Sequence, residues 1–215
     1  MARDVLQTVA LVDDTDGICA SQSPGAGAIS INGALASGGV AYIYSSTGSP
    51  GTRMAQEVAL TSGGNDSGIT FTIVGTDADG YAQTETVTGA NASVAVSTKY
   101  FSTVSSITQS GAVAGTLIVG VRRSDGGVTR TLRANHRAIN FNIGMGLDVT
   151  GTITCTVQHT FDDIQDSTAT KTWFNHATLA SKTADTDGNY AFQISGIRLL
   201  VVPTSTATAK LTVMQ

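Results

Sequence analysis

The sequence predicts an all-β protein: two tandem antiparallel β-sandwich units of jelly-roll or immunoglobulin-like type, with little or no helix. Three observations predict it. Charged residues are only 13% of the 215, about half the usual share for a soluble domain, while Gly, Thr, Ser and Val abound. Thr, Val and Ile favour a pleated, half-buried surface, and Gly supplies tight turns between short strands. Apolar residues alternate with period two over many short segments and almost nowhere with the helical period. Finally, strand-like segments recur in the two halves of the chain.

Taken in order, residues 4–12 alternate Val5, Gln7, Val9 and Leu11 against Leu6, Thr8, Ala10 and Val12. Residues 28–35 carry Ile29 and Ile31, residues 39–44 carry Val40, Tyr42 and Tyr44, and 56–61 follow a loop with Gly48, Pro50 and Gly51. Residues 69–76 give the clearest strand, with Ile69, Phe71 and Ile73 on one face and Thr70, Thr72 and Val74 on the other. Asp77-Ala78-Asp79-Gly80 then turns the chain into a returning strand over 81–88. Strands over 99–108 and 116–121 complete this half. The stretch Arg122-Arg123-Ser124-Asp125-Gly126-Gly127 reads as a linker, dividing a unit of residues 1–125 from one of 126–215. Beyond it, strands are expected over 138–143, 150–161, 190–202 and 209–214. The best helical candidate, 133–139, is weakened by Asn135 and His136 and has no cap.

The recurrence is specific. Ile69-Thr70-Phe71-Thr72-Ile73 matches Ile153-Thr154-Cys155-Thr156-Val157, and Val104-Ser105-Ser106-Ile107 matches Ile194-Ser195-Gly196-Ile197. Leu117-Ile118-Val119 likewise matches Leu211-Thr212-Val213. The expectation is a tandem repeat of one sandwich.

Composition also limits function. A net charge of −4 argues against general attraction to nucleic acid or an anionic membrane, and no apolar run approaches the roughly 18 residues that span a bilayer. Met1-Ala2-Arg3-Asp4 opens no secretory signal, so synthesis and assembly in the cytoplasm are expected. Cys19 and Cys155 sit in no ligand spacing and read as buried small residues.

Chemistry-bearing motifs are scarce. Asp14-Thr15-Asp16-Gly17, Asp77-Ala78-Asp79-Gly80 and Asp185-Thr186-Asp187-Gly188 pair carboxylates as Ca²⁺ loops do, but the EF-hand position eleven residues on holds Gly25, Thr88 or Gly196. All three read as turns. His136, His159 and His176 match no ligand pattern, and no nucleophile elbow, P-loop or dinucleotide fingerprint occurs. No catalytic residue, metal or cofactor is expected, and the chain reads as non-enzymatic. Two features remain. Arg122, Arg123, Arg130, Arg133 and Arg137 are five of the twelve basic residues, a cluster of forked cations suited to a carboxylate-rich partner or a solvated hinge. Trp173-Phe174 is a pair of adjacent large aromatics within 162–187, read as a lid packed on the second sandwich.

Several segments resemble a module recurrent in virion structural proteins of tailed bacteriophages. They are Ile69-Thr70-Phe71-Thr72-Ile73-Val74-Gly75-Thr76-Asp77-Ala78-Asp79-Gly80 with Thr84-Glu85-Thr86-Val87-Thr88-Gly89, His159-Thr160-Phe161-Asp162-Asp163, and Trp173-Phe174-Asn175-His176. Asp187-Gly188-Asn189-Tyr190-Ala191-Phe192 with Ile197-Arg198-Leu199 completes them. The resemblance spans about residues 56–215 and carries no catalytic residues. It implies a capsid decoration or cement protein on the outer capsid surface, bridging neighbouring major capsid protein subunits. A homo-oligomer, dimer or trimer, is expected with it, and the Arg cluster and the strand over 4–12 are the expected contacts. The alternatives are a tail-associated adaptor, hub or fibre-base component, a carbohydrate-binding sandwich stacking sugars on Trp173, Tyr190 or Tyr42, and an enzyme using His159 and Asp162.

Overall fold

The computed structural model describes residues 5–9, 11–43, 54–135 and 141–215. Tyr44, the loop with Gly48, Pro50 and Gly51, His136, Arg137, and the expected strand over 138–140 lie outside the described residues. The described chain is all-β and antiparallel, and its one helical element is a single 3₁₀ turn at Arg123–Asp125.

The strands are β1 (Val5–Val9), β2 (Asp14–Gln22), β3 (Gly27–Ala28), β4 (Ala36–Ser37), β5 (Val40–Tyr42), β6 (Met54–Ser62) and β7 (Thr70–Thr76). Then come β8 (Ala82–Thr88), β9 (Val94–Phe101), β10 (Thr103–Gln109), β11 (Leu117–Val121), β12 (Gly127–Thr129) and β13 (Leu132–Arg133). The last are β14 (Ile143–Thr150), β15 (Ile153–Thr160), β16 (Phe174–Asn175), β17 (Thr186–Tyr190), β18 (Gly196–Pro203) and β19 (Thr208–Met214).

They form two compact units, one of residues 11–43 with 54–127, the other of 5–9 with 128–135 and 141–215. In the first, one sheet runs β9-β6-β11-β2 and the other β8-β7-β10-β5-β4, with β3 also on β10. The inner faces meet in a core that includes Ile18, Leu60, Phe71, Ile73, Phe101, Ile107 and Val119. Phe71 and Ile73 point inward from β7 while Thr70 and Thr72 face out, as period two requires. Each such buried side chain contributes about 1.5–3 kcal/mol of transfer free energy. The turn between β7 and β8 is closed by Asp77, whose Oδ1 accepts the Asp79 and Tyr81 amides at 2.9 Å, while Gly80 supplies φ = 89°.

In the second unit one sheet runs β17-β14-β19-β1 and the other β16-β15-β18, with β12 and β13 beside β18. Ile143, Met145 and Leu147 from β14 and Leu211 and Val213 from β19 bury inward, as do Cys155 and Val157 from β15 and Leu199 and Val201 from β18.

Both units follow one topology. The run β6 to β11 visits sheets and neighbours in the same order as β14 to β19, and β2 flanks β11 as β1 flanks β19. Two of the recurring sequence pairs fall on equivalent strands, β7 with β15 and β11 with β19, whereas in the third Val104–Ile107 lies in β10 but Ile194 and Ser195 precede β18.

Several expectations need correction. The N-terminal strand pairs with β19 from Val5↔Val213 to Val9↔Ala209, so residues 5–9 lie in the later unit and not in one of residues 1–125. Residues 99–108 are not one strand. Ser102 separates β9 from β10, its amide donating to the Thr76 carbonyl as the chain changes sheet. Residues 190–202 break likewise between β17 and β18. Residues 28–35 are mostly irregular. Asp14–Gly17 and Thr186–Gly188 lie within strands rather than turns. Here glycine serves close approach: a Cβ on Gly188 would lie 3.0 Å from Leu179. The 122–127 linker is a fixed turn, held by Arg122 on Asp125. Both cysteines are free and buried, and burial pushes Cys19 up to about 12 and Cys155 to about 11.

Candidate functional site

The segments that carry chemistry-bearing side chains in the second unit meet at one corner of its sandwich. β15 brings His159, flanked in register by Phe174 of β16 and Ile197 of β18. β17, in the facing sheet, brings Tyr190. Side chains two apart share a face, so the buried rows continue past the strand ends: His159 is followed by Phe161, and Tyr190 by Phe192. There the sheets stop, and the rows run out into solvent.

The result is an aromatic cluster, buried below and open above. Tyr190 and His159 are buried, whereas Phe161, Phe174 and Phe192 are 54%, 46% and 49% exposed. Their ring centroids lie 5.3, 5.7 and 5.6 Å from that of His159, and Phe161 is 5.8 Å from Phe174 and 6.1 Å from Phe192. Phe161 thus touches both of the other rings, and a patch of three half-exposed phenylalanines is the kind of surface that marks an interaction site.

The base of the cluster is polar and satisfied. His159 Nδ1 and the Tyr190 hydroxyl are 3.0 Å apart. Burial, and then the neighbouring His176, hold His159 below the usual histidine range. Burial raises the Tyr190 phenol, so it keeps its proton. His176 Nδ1 accepts the Thr178 and Leu179 amides at 3.1 Å, and its Nε2 donates to the Asn189 carbonyl at 3.1 Å. Those partners fix the Nε2–H tautomer.

The opposite face of β15 carries a second row. Arg198 Nε donates to Gln158 Oε1 at 2.8 Å, and Gln158 Nε2 donates to Asn175 Oδ1 at 2.9 Å. The Arg198 guanidinium lies 4.1 Å over the Trp173 ring. The segment after Phe174 also runs along the open edge of β15, with paired Cys155–Lys182 bonds and Val157 N donating to Leu179 O. It seals that edge against further pairing.

The Arg cluster takes another form. In the first unit Arg122 makes a two-pronged pair with Asp125, at 2.7 and 2.8 Å, and Arg123 lies 3.8 Å from Asp13. In the second unit Arg130 and Arg133 are exposed, and Arg137 lies outside the described residues. Two of the five forks are therefore already engaged by carboxylates of their own unit. The lid expected of Trp173-Phe174 holds for Trp173, packed under Arg198, while Phe174 faces solvent. Of the sugar platforms, Tyr190 is buried and Arg198 lies over the Trp173 ring, while Tyr42 of the first unit is 38% exposed. His159 bonds to Tyr190, and Asp162 bonds to Thr160 and to the Thr172 amide. Phe161 and Phe192 stand within the resembling segments but are not singled out there as site residues; the signal is their position two residues beyond His159 and Tyr190.

Among the described residues no group of three or more His, Cys, Asp or Glu is placed to hold a metal ion, and no helix is long and apolar enough to cross a membrane.

No family model matches the chain, and no curated protein matches it. Among solved structures the chain is similar to the crystal structure of allantoicase from Saccharomyces cerevisiae, with 10% identity over 74% of each chain and a TM-score of 0.23. That neighbour is an enzyme, so the expectation of a non-enzymatic chain is withdrawn. A likeness this slight assigns no activity.

Proposed function

We propose that this chain is a bacteriophage virion structural protein that decorates the outer capsid surface and ties neighbouring major capsid protein subunits together. It docks through the Phe161–Phe174–Phe192 corner. One observation carries the reading: the separate segments around His159, Trp173-Phe174 and Tyr190-Ala191-Phe192 that resemble virion modules build this corner together.

The physics of the corner suits docking. Aromatic side chains dominate the energy of protein interfaces, and truncating a central one commonly costs about 2 kcal/mol or more. Rings locked by contact with His159 lose little freedom on binding. On a symmetric lattice a modest contact repeats many times, so a dimer or trimer gains holding strength by multivalency. The corner, rather than the Arg cluster, is the leading contact, because Arg122 and Arg123 already bond carboxylates.

The test is to mix the purified protein with phage heads that lack it and to determine stoichiometry and position by electron microscopy. Copies ordered over the capsid lattice are expected. A few copies at a single vertex would place the protein with the tail, and no binding would remove the virion reading.

A further inference from the structure

The chemistry of the corner points to what it grips. Resting on the docking role proposed above, we infer that the Phe161–Phe174–Phe192 corner receives Lys or Arg side chains from its partner's surface.

Three observations carry this. The rings are half exposed and in contact, and the face of an aromatic ring attracts a cation through its quadrupole. The chain joining Phe161 to Phe174 is acidic, with Asp162, Asp163 and Asp166 against Lys171, and the Lys171 ammonium donates to the Asp166 and Ala169 carbonyls. The Asp162 carboxylate, next in sequence to Phe161, accepts from the Thr160 hydroxyl and from the amide of Thr172, two residues before Phe174. An acidic loop that joins two rings of an exposed aromatic floor complements a cation carried on an aliphatic stem. The same loop weighs against a second copy seated face to face, because like charges would then oppose each other. The unit already uses this chemistry one row away, where Arg198 lies over Trp173.

The test uses the full chain and blocked tripeptides, acetyl-Gly-Arg-Gly-amide and its Lys counterpart, with acetyl-Gly-Glu-Gly-amide as control and an N-acetylglucosamine trisaccharide as competitor class. Ring resonances of the three phenylalanines are followed by NMR. The Arg and Lys peptides are expected to shift all three saturably, more weakly as salt rises from about 50 to about 500 mM. Phe192→Ala is expected to weaken binding about fivefold. The double variant Asp163→Asn and Asp166→Asn, which leaves the aromatic floor intact, is expected to weaken it in the same direction. No shift with the cationic peptides, an equal shift with the Glu peptide, or a response to the trisaccharide alone overturns the inference. The titration needs no capsid. Peptide binding without lattice binding would remove the virion reading and leave this one, and lattice binding without a peptide response would do the reverse.

Discussion

His159 of β15 and Tyr190 of β17 tie the two sheets of the second sandwich together, Nδ1 to hydroxyl at 3.0 Å, with ring centroids 4.9 Å apart. The bond sits where the core ends and the exposed phenylalanines begin. It therefore sets the position of the rings stacked above it.

Replacing Tyr190 by Phe keeps the ring and removes its hydroxyl, leaving a buried imidazole nitrogen without its partner. The expected cost is about 1–2 kcal/mol, seen as a lower urea midpoint with an unchanged slope. An unchanged midpoint would mean that the bond contributes nothing.

Glu57 gives the first unit a pH dependence of definite sign. Burial, then the charges of Asp125 and Glu85, push its carboxyl from 4.5 up to about 7, against a Tyr100 hydrogen bond and Arg122 that pull it down. Between those values the folded chain holds a proton that the unfolded chain has released. Stability from this group is therefore lost as pH rises from about 4.5 through 7. Glu57 is partly exposed, and solvent screening keeps the effect to about 1 kcal/mol. Glu57→Gln should flatten the curve of unfolding free energy across that window, and an unaltered slope would contradict the assignment.

Glu85 clamps the edge strand β8 to the first sheet. Its Oε1 accepts the Thr98 amide at 2.7 Å and the Thr98 hydroxyl at 2.8 Å, and its Oε2 accepts the Lys99 amide at 2.9 Å. Lys99 Nζ returns a bond to the Thr84 carbonyl at 2.8 Å. Glu85→Ala should cost about 1–2 kcal/mol and speed hydrogen exchange first at the Thr98 and Lys99 amides. Exchange that stays slow at both would show that the clamp is dispensable.

How much of this was legible in the sequence depends on what each strand depends on. β7, β8, β15 and β19 were readable because alternation is a local property of the chain. β14 was hidden because Gly144 and Gly146 occupy alternate positions and leave no polar face to mark the period. The breaks at Ser102 and after Tyr190 are changes of sheet, which sequence patterns do not register. The partner of β1 is set by β19 at the far end of the chain, so nothing near residues 5–9 announces it. The repeat was visible because equivalent strands bury the same kinds of side chain. The aromatic corner was half visible. Trp173-Phe174 stood out as a pair, but Phe161 and Phe192 gain meaning only when their strands lie side by side.

The most direct test of the docking corner is an electron-microscopy reconstruction of heads saturated with this protein, beside heads mixed with the variant Phe161→Ala, Phe174→Ala and Phe192→Ala. The account predicts wild-type copies across the lattice with these three rings against the major capsid protein, and a lattice left bare by the folded variant. Lattice copies whose aromatic corner faces solvent, or a variant that decorates as well as wild type, would contradict it.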